Sequence, residues 1–565
     1  MKTGYDKSVL RLHLTHVMKQ FKGAVLSIGI FSFFINLLML TGPIYMLQVY
    51  DRVLVSRSIP TLVSLSILMV GLYFLMGFLE FCRSRVLTRL ARRFEKDLGA
   101  DTLRGWLKAG TNNQGQRFQP MNDLSTLKQF LSGSALGTIF DLPWVPFYIG
   151  VIFFLHWTLG VLGIIGCIII VIAALYNEFS TRKSMKEISR LKLEERVLVQ
   201  QSYRNADLVL ALGMESNISR KWSDINQRVS NASLANTDIS GNSSAFTKAF
   251  RMMIQSAILG LGGALAVKQI VTPGAMIAAS IIMGRALSPL QMAIGQWRSF
   301  GQARISFDKL KAFYNFVPDE KENITLPEPK GALSVSNLYA APPNIERPIL
   351  SGLNFNLEPG DGLGIIGPSG SGKSVLGRFL VGIWKPQSGE VRIDGVLHDQ
   401  WSREQIGSKI GYLPQSVDLF DGTIGENISR FEIGDNSEAI YKSAEIAGIH
   451  EMIMKFPDGY ATQIGEGGVI LSGGQKQRIG LARAIYGNPV LVIMDEPNSN
   501  LDTMGEKALI DAISNLRRDK VTVILIAHRS GAISNLNKLL MIHSGRQVAF
   551  GDKEDVLSKV VKAQS

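Results

Sequence analysis

Apolar residues are distributed very unevenly along the chain. Six stretches are long enough to cross about 30 Å of hydrocarbon at 1.5 Å per helical residue: roughly 24–47, 61–81, a hairpin over 141–176 broken near His156-Trp157, 252–270 and 273–294. Pro143 and Pro146 interrupt the start of the third. Between these runs, TRLARRFEKDLGADTLRGWL and RLKLEERVLVQQSYRNADLVLALGM repeat apolar residues at three- and four-residue spacing. Both predict long amphipathic helices, turning near Gln119-Pro120-Met121 and near Met214-Glu215-Ser216. The turns at their tips could touch another domain while the helices themselves pack on each other as ordinary amphipathic helices; both can hold together. After Pro318 the pattern changes. Pro318-Asp319-Glu320-Lys321 through Pro327-Glu328-Pro329 is charged and proline-rich, the mark of a linker. Beyond it ILSGLNF, GLGIIG, VLVIMD and VTVILIAH alternate with helical patterns, as buried strands of an α/β sheet do. The boundaries expected are 1–317 for a helical membrane domain, 318–330 for the linker and 331–565 for an α/β domain.

Charge orients the spans. Across 565 residues, Lys and Arg number 60 against 47 Asp and Glu, a net charge of +13. The excess suits either basic cytoplasmic loops or nucleic acid. No basic stripe with interleaved aromatics supports nucleic acid, so none is expected as a partner. Lys2, Lys7, Arg11, Lys19 and Lys22 precede the first span, Arg83 to Lys108 follow the second, and Arg182 to Arg251 join the fourth to the fifth. The hairpin at His156 has no Lys or Arg. The basic stretches and both termini are therefore expected in the cytoplasm of a multi-pass protein in a lipid bilayer. Cys82 and Cys167 lie in apolar surroundings and suggest neither a disulfide nor a zinc site. The start of the chain lacks the features of a cleaved signal peptide.

The second half carries the chemistry. GLGIIGPSGSGKSVLG is a strand, a glycine loop and a helix start, the context in which a phosphate cradle works. Gly367, Pro368, Ser369, Gly370, Ser371 and Gly372 would turn backbone N–H groups toward phosphate, with a helix N-terminus behind them. Lys373 would reach the outer phosphates, and the Ser374 hydroxyl would hold Mg²⁺. VLVIMDE then delivers Asp495 as a second Mg²⁺ ligand and Glu496 to polarise an attacking water. His528, at the end of VTVILIAH, is placed to sense the γ-phosphate. LSGGQKQR opens a second helix with Ser472, Gly473 and Gly474, another anion-binding N-terminus. One nucleotide has no obvious need of two cradles from one chain, whereas two copies would each lend one to the other.

Together these motifs resemble the nucleotide-binding domain of ABC transporters, and six spans before one such domain resemble an exporter half-transporter. The fold class implied is an α-helical membrane domain of ABC exporter type followed by an α/β P-loop ATPase domain. The resemblance implies that ATP is sandwiched between protomers. It makes Gln415, in YLPQS, the residue linking site to spans, near both the water and Mg²⁺. It adds Gln475 and Asp502, of Asn500-Leu501-Asp502, to the trans face, places Gly465 to Gly468 before the signature, and puts the adenine-stacking aromatic near Tyr339, where LYAAPP departs from the usual aromatic-x-Tyr. LTGPIYMLQVYDRVLVSRSIPTL, LKQFLSG and ALSPLQMAIGQWRSF resemble, more narrowly, the PrtD-like type I secretion transporters of metalloproteases, haem-binding proteins and lipases. That family implies an inner-membrane homodimer, a periplasmic membrane-fusion adaptor, an outer-membrane channel, and an unfolded protein cargo with an uncleaved C-terminal signal. About 23 residues precede the first span, so no leader peptidase is expected there. The competing reading is an exporter of lipid, peptide or small amphiphile. Polar Gln48, Asp51, Arg52, Gln255, Gln291 and Gln296 either line a wet path or bond neighbouring helices.

Overall fold

The computed structural model describes residues 21–110, 118–317, 326–343, 345–465, 467–527 and 533–564. The four basic residues from Lys2 to Lys19 and the linker residues 318–325 lie outside them. The chain divides into two compact units between residues 319 and 320.

The first unit is helical. Its elements are α1 (Lys22–Leu38), α2 (Thr41–Gln48), a π turn over Val49–Val53, α3 (Ile59–Gly110), α4 (Pro120–Ser132), α5 (Ser134–Asp141), α6 (Val145–Leu155), α7 (Trp157–Arg204), α8 (Ala206–Ala211), α9 (Glu215–Val267), α10 (Pro273–Gly295) and α11 (Trp297–Phe316). Six helical stretches among the described residues are long and apolar enough to span a membrane. The 52 residues of α3 make it about 78 Å long, so it continues far past any hydrocarbon layer. α7 and α9 do the same and pack on each other along their length.

The hairpin breaks at His156, whose extended backbone (φ −167°, ψ 136°) lets its Nδ1 accept from the Thr158 N–H at 3.3 Å. The third span starts earlier than its apolar run suggests. α5 begins it at Ser134, and a 3₁₀ turn at Leu142–Trp144 absorbs the prolines. The fifth stops at Val267 rather than near Ile270, because Gln269 turns left-handed (φ 58°). At the second helical tip the helix already breaks at Asn205, and α8 forms before the turn at Met214.

Interhelical bonding takes several of the polar positions in the spans. Asp51 accepts from the Gly274 N–H at 2.8 Å and from the hydroxyl of Thr272, the N-cap of α10, at 2.5 Å. Gln255 and Ser280 bond α9 to α10, and Gln296 donates to Ser134 Oγ at 3.0 Å. A larger network was not foreseen. Buried Arg83 donates to Asp141 (3.0 Å), Ser32 (3.0 Å) and Glu80 (2.7 Å). Asn36 donates to Asp141 at 2.8 Å, and Tyr148 donates to the Asn36 backbone oxygen at 2.8 Å. The first three spans thus share one satisfied polar centre, in the setting where an unpaired charge costs most.

The second unit is built on one sheet. Its strands are β1 (Leu333–Ala340), β2 (Leu350–Leu357), β3 (Gly362–Ile366), β4 (Ser388–Ile393), β5 (Val396–Leu397), β6 (Ile410–Leu413), β9 (Leu491–Asp495), β10 (Thr522–Ile526), β11 (Lys538–His543) and β12 (Arg546–Asp552). A separate pair joins β7 (Gly422–Thr423) to β8 (Gln463–Ile464). The sheet order is β5-β4-β1-β2-β12-β11-β3-β10-β9-β6. The run β11-β3-β10-β9-β6 is wholly parallel. Its central strands are continuous apolar runs because both faces are covered. β1, β2 and β4 pair antiparallel at the other end.

Candidate functional site

In an open parallel sheet, ligands bind beyond the carboxyl ends of the strands. Here the register does the assembling. Ile526 of β10 pairs with Ile365 of β3 on one side and Asp495 of β9 on the other, so the glycine loop and the acidic pair emerge at the same level.

The loop after β3 needs its glycines. Gly367 has φ 151°, and a Cβ there would sit 2.0 Å from the Ile542 backbone oxygen. Gly372 (φ 96°) caps α12 (Lys373–Leu380) in a left-handed conformation, with Leu350 2.7 Å from where its Cβ would be. Lys373 Nζ curls back to the Gly367 and Pro368 backbone oxygens at 2.8 and 2.9 Å. The ammonium therefore sits inside the loop's curve. Burial lowers its pKa, and the nearby Glu496 and Asp495 oppose that shift. Ser371 is buried, and its Oγ has no partner among the described residues. Together these make a concave, donor-rich cradle of the kind a phosphate fills.

Across the strands, Ser374 Oγ donates to Asp495 Oδ1 at 3.1 Å. Burial raises the Asp495 carboxyl; the Ser374 hydroxyl opposes this, and the charge of Glu496 adds to it. A hydroxyl and a carboxylate in contact at a strand end are hard oxygen donors, and they fit Mg²⁺ completed by phosphate and water. Glu496 follows in a left-handed conformation (φ 50°), its N–H held by the Ile526 backbone oxygen at 2.9 Å. Gln415 Nε2 donates to Glu496 Oε2 at 3.1 Å. The resemblance implied a place for Gln415 near the water and Mg²⁺; the fold brings it, from 81 residues earlier, into contact with Glu496. Tyr339, one residue before the end of β1, is exposed, its phenol beside Gly352. His528 and Glu466 lie outside the described residues.

The LSGGQ segment opens a helix, as its sequence suggests. Ser472 caps α13 (Gly473–Ile485) through a reciprocal bond pair with Gln475: Ser472 Oγ accepts from the Gln475 N–H at 3.3 Å, and Gln475 Oε1 from the Ser472 N–H at 2.8 Å. Gly474 must be glycine, since a Cβ would lie 2.8 Å from the Asn500 backbone oxygen. Asp502 caps α14 (Thr503–Arg518) through the Gly505 N–H at 2.8 Å and also bonds Arg478. The Gly505 N–H first, and then Arg478, hold its carboxyl below the usual range. Arg478 was missed as a site-shaping residue, although it stands in the quoted motif one helical turn past Gly474. Among the described residues no hydrogen bond joins Ser472–Gln475 or Asp502 to the loop at 367–374.

These parts define a class: a phosphate-loop ATPase unit carried by a six-span membrane unit. Two family descriptions match it, "ABC transporter" over residues 350–499 and "ABC transporter transmembrane region" over 25–289. The chain is 41% identical over 549 residues to the type I secretion system ATP-binding protein PrsD of Rhizobium meliloti, covering 97% of this chain and 94% of that protein. It is 27% identical over 542 residues to the leukotoxin translocation ATP-binding protein LktB of Mannheimia haemolytica, covering 94% of this chain and 75% of that protein. A solved bacterial Atm1-family ABC exporter with ATP bound shares the fold, with a TM-score of 0.79 and 23% identity over 98% of this chain and 97% of that one. The chain belongs to the ABC transporters of type I secretion systems. It is a membrane ATPase that drives protein export.

Proposed function

We propose that two copies of this chain, in a bacterial inner membrane with both termini cytoplasmic, export unfolded protein through a periplasmic adaptor and an outer-membrane channel. The cargo carries a C-terminal signal. The observation that supports this reading best is the 41% identity to a type I secretion protein across nearly the whole chain, membrane unit included. The ATPase unit alone would suit many cargoes, so likeness in the spans is what favours protein.

Each residue has a part in the proposed cycle. The N–H groups of the 367–374 loop cradle the phosphates of ATP, and Lys373 leaves its two backbone oxygens for the outer ones. Ser374 and Asp495 hold Mg²⁺, with Gln415 near enough to join them. The ion, when bound, neutralises charge on the phosphates. Glu496 takes the proton of the attacking water, oriented by Gln415. His528 senses the γ-phosphate, and Tyr339 stacks on adenine. In the partner copy Ser472, Gly473 and Gly474, steadied by Gln475 and Asp502, close over the same nucleotide with the positive end of α13. Closure and parting of the ATPase domains work the spans.

The deciding experiment reconstitutes the full chain with adaptor, channel and a candidate cargo protein, and measures ATP-dependent cargo release. Protein export is expected. Lipid flipping without cargo export would reverse the choice in favour of an amphiphile exporter.

A further inference from the structure

We propose that Arg430 is a positioning residue: it joins the strand leading to Gln415 and the tail of α13 into one body, so that a shift at Gln415 carries Ser472–Gly474 with it. The proposal deepens the two-copy site above and rests on it.

The geometry centres on one guanidinium. Arg430 Nε donates to the Arg483 backbone oxygen at 3.0 Å, and Nη2 donates to those of Ala484 at 3.2 Å and Tyr486 at 3.1 Å. Arg483 and Ala484 belong to the last turn of α13, whose carbonyls lack partners within a helix and carry its negative dipole end, and Tyr486 directly follows it. The remaining arm, Nη1, donates to the Gly407 backbone oxygen at 2.9 Å. Gly407 lies in the short helix Arg403–Lys409 that runs directly into β6, and Gln415 lies two residues after that strand. The strand and the helix tail are already close, since a Cβ on Gly411 would meet the Ala484 oxygen at 2.1 Å. Gln415 and Ser472 thus sit at the far ends of a helix–strand segment and of α13, which the same side chain clamps.

The backbone is bent to aim that side chain. Arg430 (φ 56°) and Phe431 (φ 59°) are consecutive non-glycine residues in the left-handed region. Such strain persists only where the surroundings impose it. Neighbouring bonds wrap the same tail: Arg483 donates to the Asp418 backbone oxygen at 3.1 Å, and the Tyr486 phenol donates to Glu432 at 2.8 Å. Arg430 also lines a recess of about 400 Å³ with Tyr412, Pro414, Phe420 and Phe431, on the same side as the Gln415 segment. Lysine cannot replace it. A single ammonium has three donors at one point, whereas these acceptors are reached in three directions by a planar fork.

The test is a double-mutant cycle on ATP turnover by the full-length chain in lipid nanodiscs, comparing wild type, Gln415→Ala, Arg430→Lys and the double variant. Arg430→Lys is expected to lower kcat about tenfold with KM within about twofold, and the double variant to be no slower than the slower single one. Effects that multiply, a wild-type kcat, or a loss confined to KM would each overturn the proposal. Should the lysine variant fail to fold, Arg430→Gln, which keeps amide donors without charge, takes its place with the same expectations. Glu496→Gln, run alongside, separates the two readings. If it keeps full turnover, the site assignment falls. If it stalls and the cycle is multiplicative, only the role of Arg430 falls.

Discussion

At the scale of single residues, two carboxyls with opposite duties show how surroundings set behaviour. Glu496 stands just beyond the buried sheet, held by Gln415 and aimed by its left-handed backbone. Glu496→Gln should bind ATP as the wild type does and lose turnover by about 10²–10⁴-fold, the usual worth of a general base; a filter-binding assay with a phosphate-release assay checks both halves. Asp361 is structural. Burial raises its carboxyl, but the Lys538 ammonium, the Asn537 amide and the Glu358 N–H outweigh that and hold its pKa below the ordinary value. A depressed folded pKa means its stabilisation is present above the unfolded pKa of about 3.9 and lost as the pH falls through the folded value. Thermal unfolding of the full chain should therefore lose less on acidification in Asp361→Asn than in the wild type. Identical acid slopes would show that the carboxylate contributes nothing.

At the scale of elements, helix ends and buried charges decide which parts move together. Asp51→Ala removes the bonds to the Gly274 N–H and the Thr272 hydroxyl at the start of α10, a loss of about 1 kcal/mol typical of a hydrogen bond. Its midpoint of unfolding in detergent should fall, while Arg52→Ala, next to it, should change little. Arg83→Ala leaves Asp141 buried without its cation, at a cost of about 3–5 kcal/mol. An Arg83→Met, Asp141→Leu pair should recover most of that, because the harm lies in the unpaired charge. A double variant no better than Arg83→Ala would assign the loss to packing instead. The apolar pattern had indicated six spans, as many as the long apolar helices among the described residues, though several of those helices run well past the apolar stretches. It missed this network, because Ser32, Asn36, Glu80, Arg83 and Asp141 are scattered through 110 positions and carry no common period.

For the whole molecule, the two cradles imply a concentration law. If each copy supplies half of a pocket, ATPase activity per chain should be steady in nanodiscs holding two copies and collapse in those holding one. Full turnover from single-copy discs would end the shared-pocket account. Lys373→Ala should weaken ATP binding in both preparations, since its contacts lie within one chain.

The motif residues of the phosphate loop, the acidic pair and the capped Ser-Gly-Gly helix were legible as a string, because glycines at fixed spacing, carboxylates ending an apolar run and a Ser-x-x-Gln cap are local requirements of backbone and solvent. The spans were legible for the same reason: hydrocarbon demands unbroken apolar length. Only the fold set Asp495 level with the loop through β10, brought Gln415 to Glu496, gave Asp51 to the start of α10 and put Arg430 on the tail of α13. Each of these pairs residues far apart in the chain, and such pairings are decided by register and packing, which no local pattern encodes.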